Sequence, residues 1–292
     1  MKTSASTLWC LKIAAFITFG TVALGAVVCA TYSSAACPNW PGCYFGQILP
    51  RGELNPIIEF THRVFAMSTL PTLLVAAVTV RKHPLRVVRV LPRFAVAGAL
   101  GAGIFGMFTI KTGLTPIQGM ADLWCALMSL VTIVITLVTA RQLEREQNRR
   151  TAQLAYGVLG GLFVLHGLGV LTAAAGSYTR CMGWPLWLVN DMDKMPALQL
   201  ARVGLAVIIL AGMGVLAWRT KTILPLAMLL AVELILGVII RVTGLNGLLG
   251  SLYGITAVTI VAAVAWVGRP LPAVSFSTAS CQGHARFSPL KL

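Results

Sequence analysis

Apolar residues run almost unbroken through eight stretches of the chain, near 9–31, 57–80, 94–112, 118–140, 152–175, 196–218, 222–241 and 248–267. Each approaches the roughly 20 residues a helix needs to cross the hydrocarbon core of a bilayer. Within lipid a segment has to satisfy its own backbone polar groups, and a helix does so without any partner strand. The pattern therefore predicts an all-α integral membrane protein with eight transmembrane helices. The first stretch leads directly into further spans, with no small-residue cleavage site and soluble domain behind it, so it reads as a helix and not as a removed signal peptide.

Composition agrees with the pattern, at 57% hydrophobic and 11% charged, against about 45–50% and about 25% in soluble domains. The net charge of +15 raises the question of a nucleic-acid partner, but the placement of the basic residues answers it. Lys2, then Arg81, Lys82, Arg86, Arg89 and Arg93, then Arg141, Arg145, Arg149 and Arg150, then Arg219 and Lys221, then Arg269, Arg286 and Lys291 fall in alternate loops and at the two ends. The other loops hold little beyond Arg51, Lys111, Arg180 and Lys194. This is the positive-inside bias of a multi-pass protein of the cytoplasmic (inner) membrane, with both termini cytoplasmic. It places segments 32–56 and 176–195 on the outer face. The basic rim suits anionic lipid heads, and no nucleic-acid partner is needed to explain it.

Internal repetition divides the eight spans. Leu24-Gly25 leads to Cys37, Trp40 and Pro41, and Leu168-Gly169 leads at the same spacing to Cys181, Trp184 and Pro185. His62-Arg63-Val64 faces Ala201-Arg202-Val203, and Phe105-Gly106 with Gly113-Leu114 faces Leu236-Gly237 with Gly244-Leu245. The shared order of these matches predicts two pseudo-symmetric four-helix bundles, 1–145 and 150–268, joined by the basic linker Arg141 to Arg150 and followed by a cytoplasmic tail, 269–292.

Cys37 and Cys43 share the first outer loop, in Cys37-Pro38-Asn39-Trp40-Pro41-Gly42-Cys43. An oxidising outer face permits a disulfide there, the alternative being two free thiols. Cys10, Cys29 and Cys125 fall within spans and read as small packing residues, and Cys281 lies in the tail.

The densest chemistry in the apolar chain is Ile57-Ile58-Glu59-Phe60-Thr61-His62-Arg63, in a protein with four histidines. Ionisable groups at membrane depth are costly and mark functional sites. Glu59 and His62, at i and i+3, project from one helix face and are expected to share a cavity. That arrangement suits a heme iron ligand with an acid or base beside it. The alternative places Glu59 and Arg63 at a wet helix end, with His62 merely packed.

The doubled four-helix unit, the outer-loop cysteine pair, Glu-x-x-His-Arg near the start of the second helix, and the end of the third helix at Phe105-Gly106-Met107-Phe108-Thr109 together resemble the heme A synthase family over nearly the whole chain. The resemblance implies a membrane oxidoreductase that oxidises a methyl group of heme O to the formyl group of heme A for cytochrome oxidase assembly. Heme O and heme A would be ligands, with heme O synthase or cytochrome oxidase subunits as partners. In the family each half carries two histidines, one on its second and one on its fourth helix; the first pair, with the glutamate, serves substrate and catalysis, and the second pair holds heme b. His62 and Glu59 match the first-half histidine and glutamate, with Arg63 beside them in the same motif.

The other three histidine positions fall on Asp122, Ala201 and Tyr253, which makes the chain a divergent member. Ala201 cannot ligate iron. Tyr253 offers a phenolate or, alternatively, a hydroxyl at the outer interface. Asp122 offers a weak ligand, a partner for Lys111, or a proton relay. His166 is either a substitute ligand or a satisfied bundle histidine, while His83 and His284 read as loop and tail residues. Glu233 and Arg241, on the seventh span, need partners. The loss of three histidines leaves a non-catalytic heme-binding or oxidase-assembly protein as the alternative to the enzyme. A transporter built on repeats is the weaker third reading, because matching mid-span helix breaks are missing.

Overall fold

The computed structural model describes residues 3–40, 42–113, 115–141, 148–173, 178–185, 195–220, 223–244 and 246–268. Eight helices follow one another: α1 (Ala5–Ala30), α2 (Leu54–Thr79), α3 (Arg86–Thr112), α4 (Pro116–Arg141), α5 (Arg149–Thr172), α6 (Pro196–Thr220), α7 (Ile223–Thr243) and α8 (Gly247–Val267), with a 3₁₀ turn at Tyr178–Cys181 before α6. All eight are long and apolar enough to cross a membrane, and no strand forms among the described residues. The chain is an all-α integral membrane protein. The tail 269–292, with Cys281 and His284, and most of the expected linker lie outside the described residues.

Local chemistry sets the helix ends. Pro116 and Pro196 open α4 and α6, where a missing N–H costs nothing. Gly113 and Gly244 end α3 and α7 with φ of 84° and 83°, a left-handed conformation that glycine adopts without strain. The apolar pattern placed the start of the third span near residue 94, whereas α3 begins at Arg86. Its first turns are amphipathic, burying Val88 and Pro92 while Arg86 and Arg89 stay outside the core.

Packing closes the helices into two rings. In the first, α1 lies beside α2, α2 beside α3, α3 beside α4 and α4 beside α1; α5 to α8 repeat that order. The rings meet along α1 and α4 on one side and α5 and α8 on the other. Accordingly α4 and α8 are the most buried spans and α3 the least. The main apolar core fills this seam and the second ring, from Val22 and Leu130 through Leu162 and Met213 to Val261. A smaller core of Leu11, Leu73, Val88, Ala95, Ile133 and Leu137 fills the arginine-bearing end of the first ring. The opposite, loop-bearing end of that ring is packed differently: α3 buries Val88, Pro92, Ala95 and Gly98, and nothing from Gly101 to Thr112.

The structure pairs four cysteines. Cys37–Cys43 forms within the first loop. Cys29, expected to be a packing residue, is instead bonded to Cys181. Cys29 lies one residue inside the end of α1 and Cys181 ends the 3₁₀ turn, so the bridge ties one ring to the other on the loop face. Cys10 and Cys125 are free.

Two measurements check this packing. A Cβ on Gly98 would stand 2.5 Å from the Cys125 carbonyl oxygen and 2.6 Å from Ser129 Oγ, whereas one on Gly103 would meet nothing within 4 Å. Gly98→Ala should therefore cost the purified chain about 1–3 kcal/mol in a thermal or denaturant melt, and Gly103→Ala should leave the melt in place. A protease site inserted between residues 142 and 147 should give fragments that run together on a denaturing gel without reductant and separate with it. Separation without reductant would contradict the Cys29–Cys181 bond.

Candidate functional site

Glu59, His62 and Arg63 occupy the second and third turns of α2, at the loop face. Glu59 and Arg63 are buried, at 4% and 7% exposure, and they form the ion pair found among the described residues, Arg63 Nη2 to Glu59 Oε1. Taking two charges out of water is unfavourable unless the remaining donors and acceptors are satisfied, and the first loop satisfies most of them, leaving Arg63 Nε without a partner. Arg63 Nη1 donates to the carbonyls of Asn39 at 2.5 Å and Gly42 at 2.9 Å, and Nη2 donates to Cys37 O at 2.6 Å. The Cys37 N–H donates to Glu59 Oε2 at 2.8 Å. The pair thus clasps the disulfide-closed loop onto α2.

This differs from the expected shared cavity. Glu59 Oε1 is taken by Arg63 and Oε2 by the loop amide of Cys37, and no hydrogen bond joins Glu59 to His62. The alternative of a wet helix end also fails, because both charged groups are buried. His62 turns to α1. Its Cε1 lies 3.4 Å from where a Cβ on Gly25 would sit, and one turn further along, a Cβ on Gly20 would come within 2.6 Å of the Phe65 ring. These two glycines let α2 close on α1, and a 2.7 Å bond between Thr21 Oγ1 and Thr69 Oγ1 adds a polar link. His62 Nδ1 is buried with no hydrogen-bond partner. A buried polar atom in that condition costs about 1–3 kcal/mol; the ring also meets the Thr21 backbone through a hydrogen bond, which leaves Nδ1 open to a partner from elsewhere. The His62 imidazole, packed against Gly25 of α1 at the loop face with an unpartnered Nδ1, is the candidate site. Among the described residues no group of three His, Cys, Asp or Glu gathers to hold a bare metal ion.

The second ring repeats the clasp with other residues. Arg202 is fully buried and donates from Nη2 to Gly183 O at 3.1 Å, from Nε to Leu165 O at 3.3 Å and from Nη1 to Gln199 Oε1 at 2.9 Å. Gly183 follows Cys181 by two residues, as Asn39 follows Cys37. Where Gly25 faces the His62 imidazole, Gly169 faces Arg202, whose Nη2 would stand 2.8 Å from a Cβ there. A guanidinium thus fills the space that an imidazole takes in the first ring.

The remaining expected residues scatter. Tyr253 is fully buried on α8 within electrostatic reach of Arg202, so its hydroxyl does not sit at the outer interface. Ala201 is exposed. Asp122 forms no ion pair with the exposed Lys111. His166 is not a satisfied bundle histidine: it is buried, both ring nitrogens lack partners, and it meets Trp184 edge-on at 6.1 Å. Glu233 is buried with neither oxygen paired, and Arg241, exposed two turns along α7, does not reach it. His83 ties the turn between α2 and α3, accepting from the Leu85 N–H and bonding Thr3 Oγ1.

The arginine clasp was the feature missed from the sequence. Its signal was there in Glu59 and Arg63 at i and i+4, the spacing of a helical ion pair, and in Arg202 recurring at the Arg63 position while the adjacent histidine did not.

Arg63→Ala should cost about 3–5 kcal/mol by leaving a buried carboxylate uncompensated, and trypsin should then cut at Arg51 in the freed loop. Removing both partners with Glu59→Ala should cost less than the sum of the single losses. Additive losses in the melt would show that the two groups do not act as a pair.

No family model matches the chain. Over 209 residues it is 27% identical to the Heme A synthase of Shewanella oneidensis, and the aligned region covers 64% of this chain. The chain thus spans 63% of the length of that curated relative.

Proposed function

We propose that the chain is a heme A synthase-like membrane oxidoreductase of the cytoplasmic membrane, which takes heme O into the loop-face end of its first ring and oxidises a methyl group to the formyl of heme A. The observation that carries this reading is the His62 imidazole at the loop-face end of the first ring, whose buried Nδ1 has no hydrogen-bond partner. The similarity to the Shewanella enzyme supports it. A neutral imidazole is a strong heme iron ligand, and the flat ring of His62 braced against Gly25 is held in one orientation. The bound heme would supply the redox chemistry, with the four electrons lost between methyl and formyl passing to an acceptor outside the chain and the oxygen coming from water or dioxygen. The chain's own residues would bind and orient: His62 would hold the iron, and the loop held by Glu59 and Arg63 would close the end towards water.

In this reading Glu59 is a positioning residue, because its oxygens hold Arg63 and the Cys37 amide. A proton role would require it to leave that clasp. The second ring holds no heme through the two positions the family uses, since Ala201 and Tyr253 stand there. The same two facts favour the second reading, a protein that holds or hands on heme without oxidising it.

Expression in a membrane that makes heme O, followed by pigment extraction, separates the two. Heme A in the extract is the expected result, and heme O alone, still bound to the protein, would establish the non-catalytic reading. His62→Ala should abolish bound heme in either case, and unchanged heme content would overturn both.

A further inference from the structure

The first loop carries more than its attachment to α2. Beyond the Cys37–Cys43 bond the chain turns back on itself in a small hairpin: Tyr44 and Gln47 exchange two backbone hydrogen bonds of 3.1 Å, and the Cys43 N–H reaches Ile48 O at 3.2 Å. Gly46 takes the turn at a φ of 72°. Gly42 packs so closely beneath that a Cβ there would stand 3.0 Å from Gln47 O. Disulfide, hairpin and arginine clasp together make this a stiff projection.

Its tip is apolar and uncovered. Phe45 is 98% exposed, Ile48 73% and Leu49 64%, and apolar exposure resumes at Leu54 and Ile57 at the start of α2. Arg51 lies over the Tyr44 ring, 4.4 Å from its centroid, with Glu53 beside it at the helix start. A run of exposed apolar side chains of this kind marks an interaction surface.

The geometry points to a bilayer as the occupant: the Tyr44–Leu49 hairpin lies in the boundary between headgroups and acyl chains of the leaflet on the loop face. Three observations favour lipid over a protein partner. Past the exposed Arg51 and Glu53, the apolar exposure resumes at Leu54 and runs into the stripe of α2, Ile57, Val64, Met67, Leu74 and Val78, which is the lipid-facing side of that span. Leu49 is five residues from Leu54, so the tether of at most about 17 Å keeps the tip near the membrane surface. An aromatic tip flanked by an arginine stacked on a tyrosine is the side-chain chemistry of that boundary, where rings sit at headgroup level and basic groups reach phosphate. Exposed apolar area on a stiff loop binds such a boundary without paying to order the loop first. The inference depends only on the chain spanning a membrane and stands whatever the first ring binds.

The test uses the full chain in phosphatidylcholine vesicles, with Phe45→Trp read as the difference spectrum from the unsubstituted protein. At a side chain this exposed the substitution leaves the fold alone, which an unchanged melt confirms. Lipids brominated near the headgroup end of their chains should remove most of the added fluorescence, aqueous iodide should remove little, and the emission should be blue-shifted. Iodide quenching equal to that of free tryptophan, with bromines ineffective, would overturn the proposal by placing the tip in water. Shielding from both quenchers would overturn it in favour of a protein contact, such as a second copy of the chain.

Discussion

A buried guanidinium that cannot be left unpaired organises the loop face of this protein. Arg63 is inside α2's packed side, where an unsatisfied charge would cost several kcal/mol, and its two terminal nitrogens are taken up by Glu59 and by three carbonyls of the Cys37–Cys43 loop. The loop is therefore held by charge satisfaction as well as by its disulfide. The hairpin and the cover over His62 both rest on that clasp.

The two rings answer the same constraint with different side chains. Arg202, like Arg63, reaches a carbonyl two residues beyond a disulfide cysteine, but its neighbour is Gln199 instead of a carboxylate. Its guanidinium presses on Gly169, while in the first ring the matching glycine accommodates an imidazole. A shared scaffold with divergent filling is consistent with a duplicated unit that has kept its outer fastening and changed its interior. Glu233 and His166, buried with unpartnered polar atoms in the second ring, show that this interior is not simply a hydrocarbon core.

Much of this was legible in the sequence because the bilayer imposes length and hydropathy so strictly. All eight spans were readable, and the glycine pairs at Gly113 and Gly244 came out at matching helix ends. Boundaries at the arginine-rich face were not, since α3 continues as an amphipathic helix where hydropathy stops reporting. His62, Glu59 and Arg63 were found by their cost in an apolar stretch, but cost alone does not say which neighbours satisfy them. The i, i+3 spacing suggested that Glu59 faces His62; the i, i+4 spacing to Arg63 prevailed because a full charge needs a partner more than an imidazole does. The Cys29–Cys181 bond joins residues 152 apart in the chain, a proximity that only the packing of α1 against the second ring creates.

The central claim is that His62 is the iron ligand of a heme seated in the first ring. Heme O titrated into the purified chain, followed by its Soret band, tests this directly. The account predicts saturable binding with the spectrum of an imidazole-ligated heme, lost in His62→Ala and retained in His166→Ala. Binding and spectrum unchanged in His62→Ala, or lost only in His166→Ala, would contradict it.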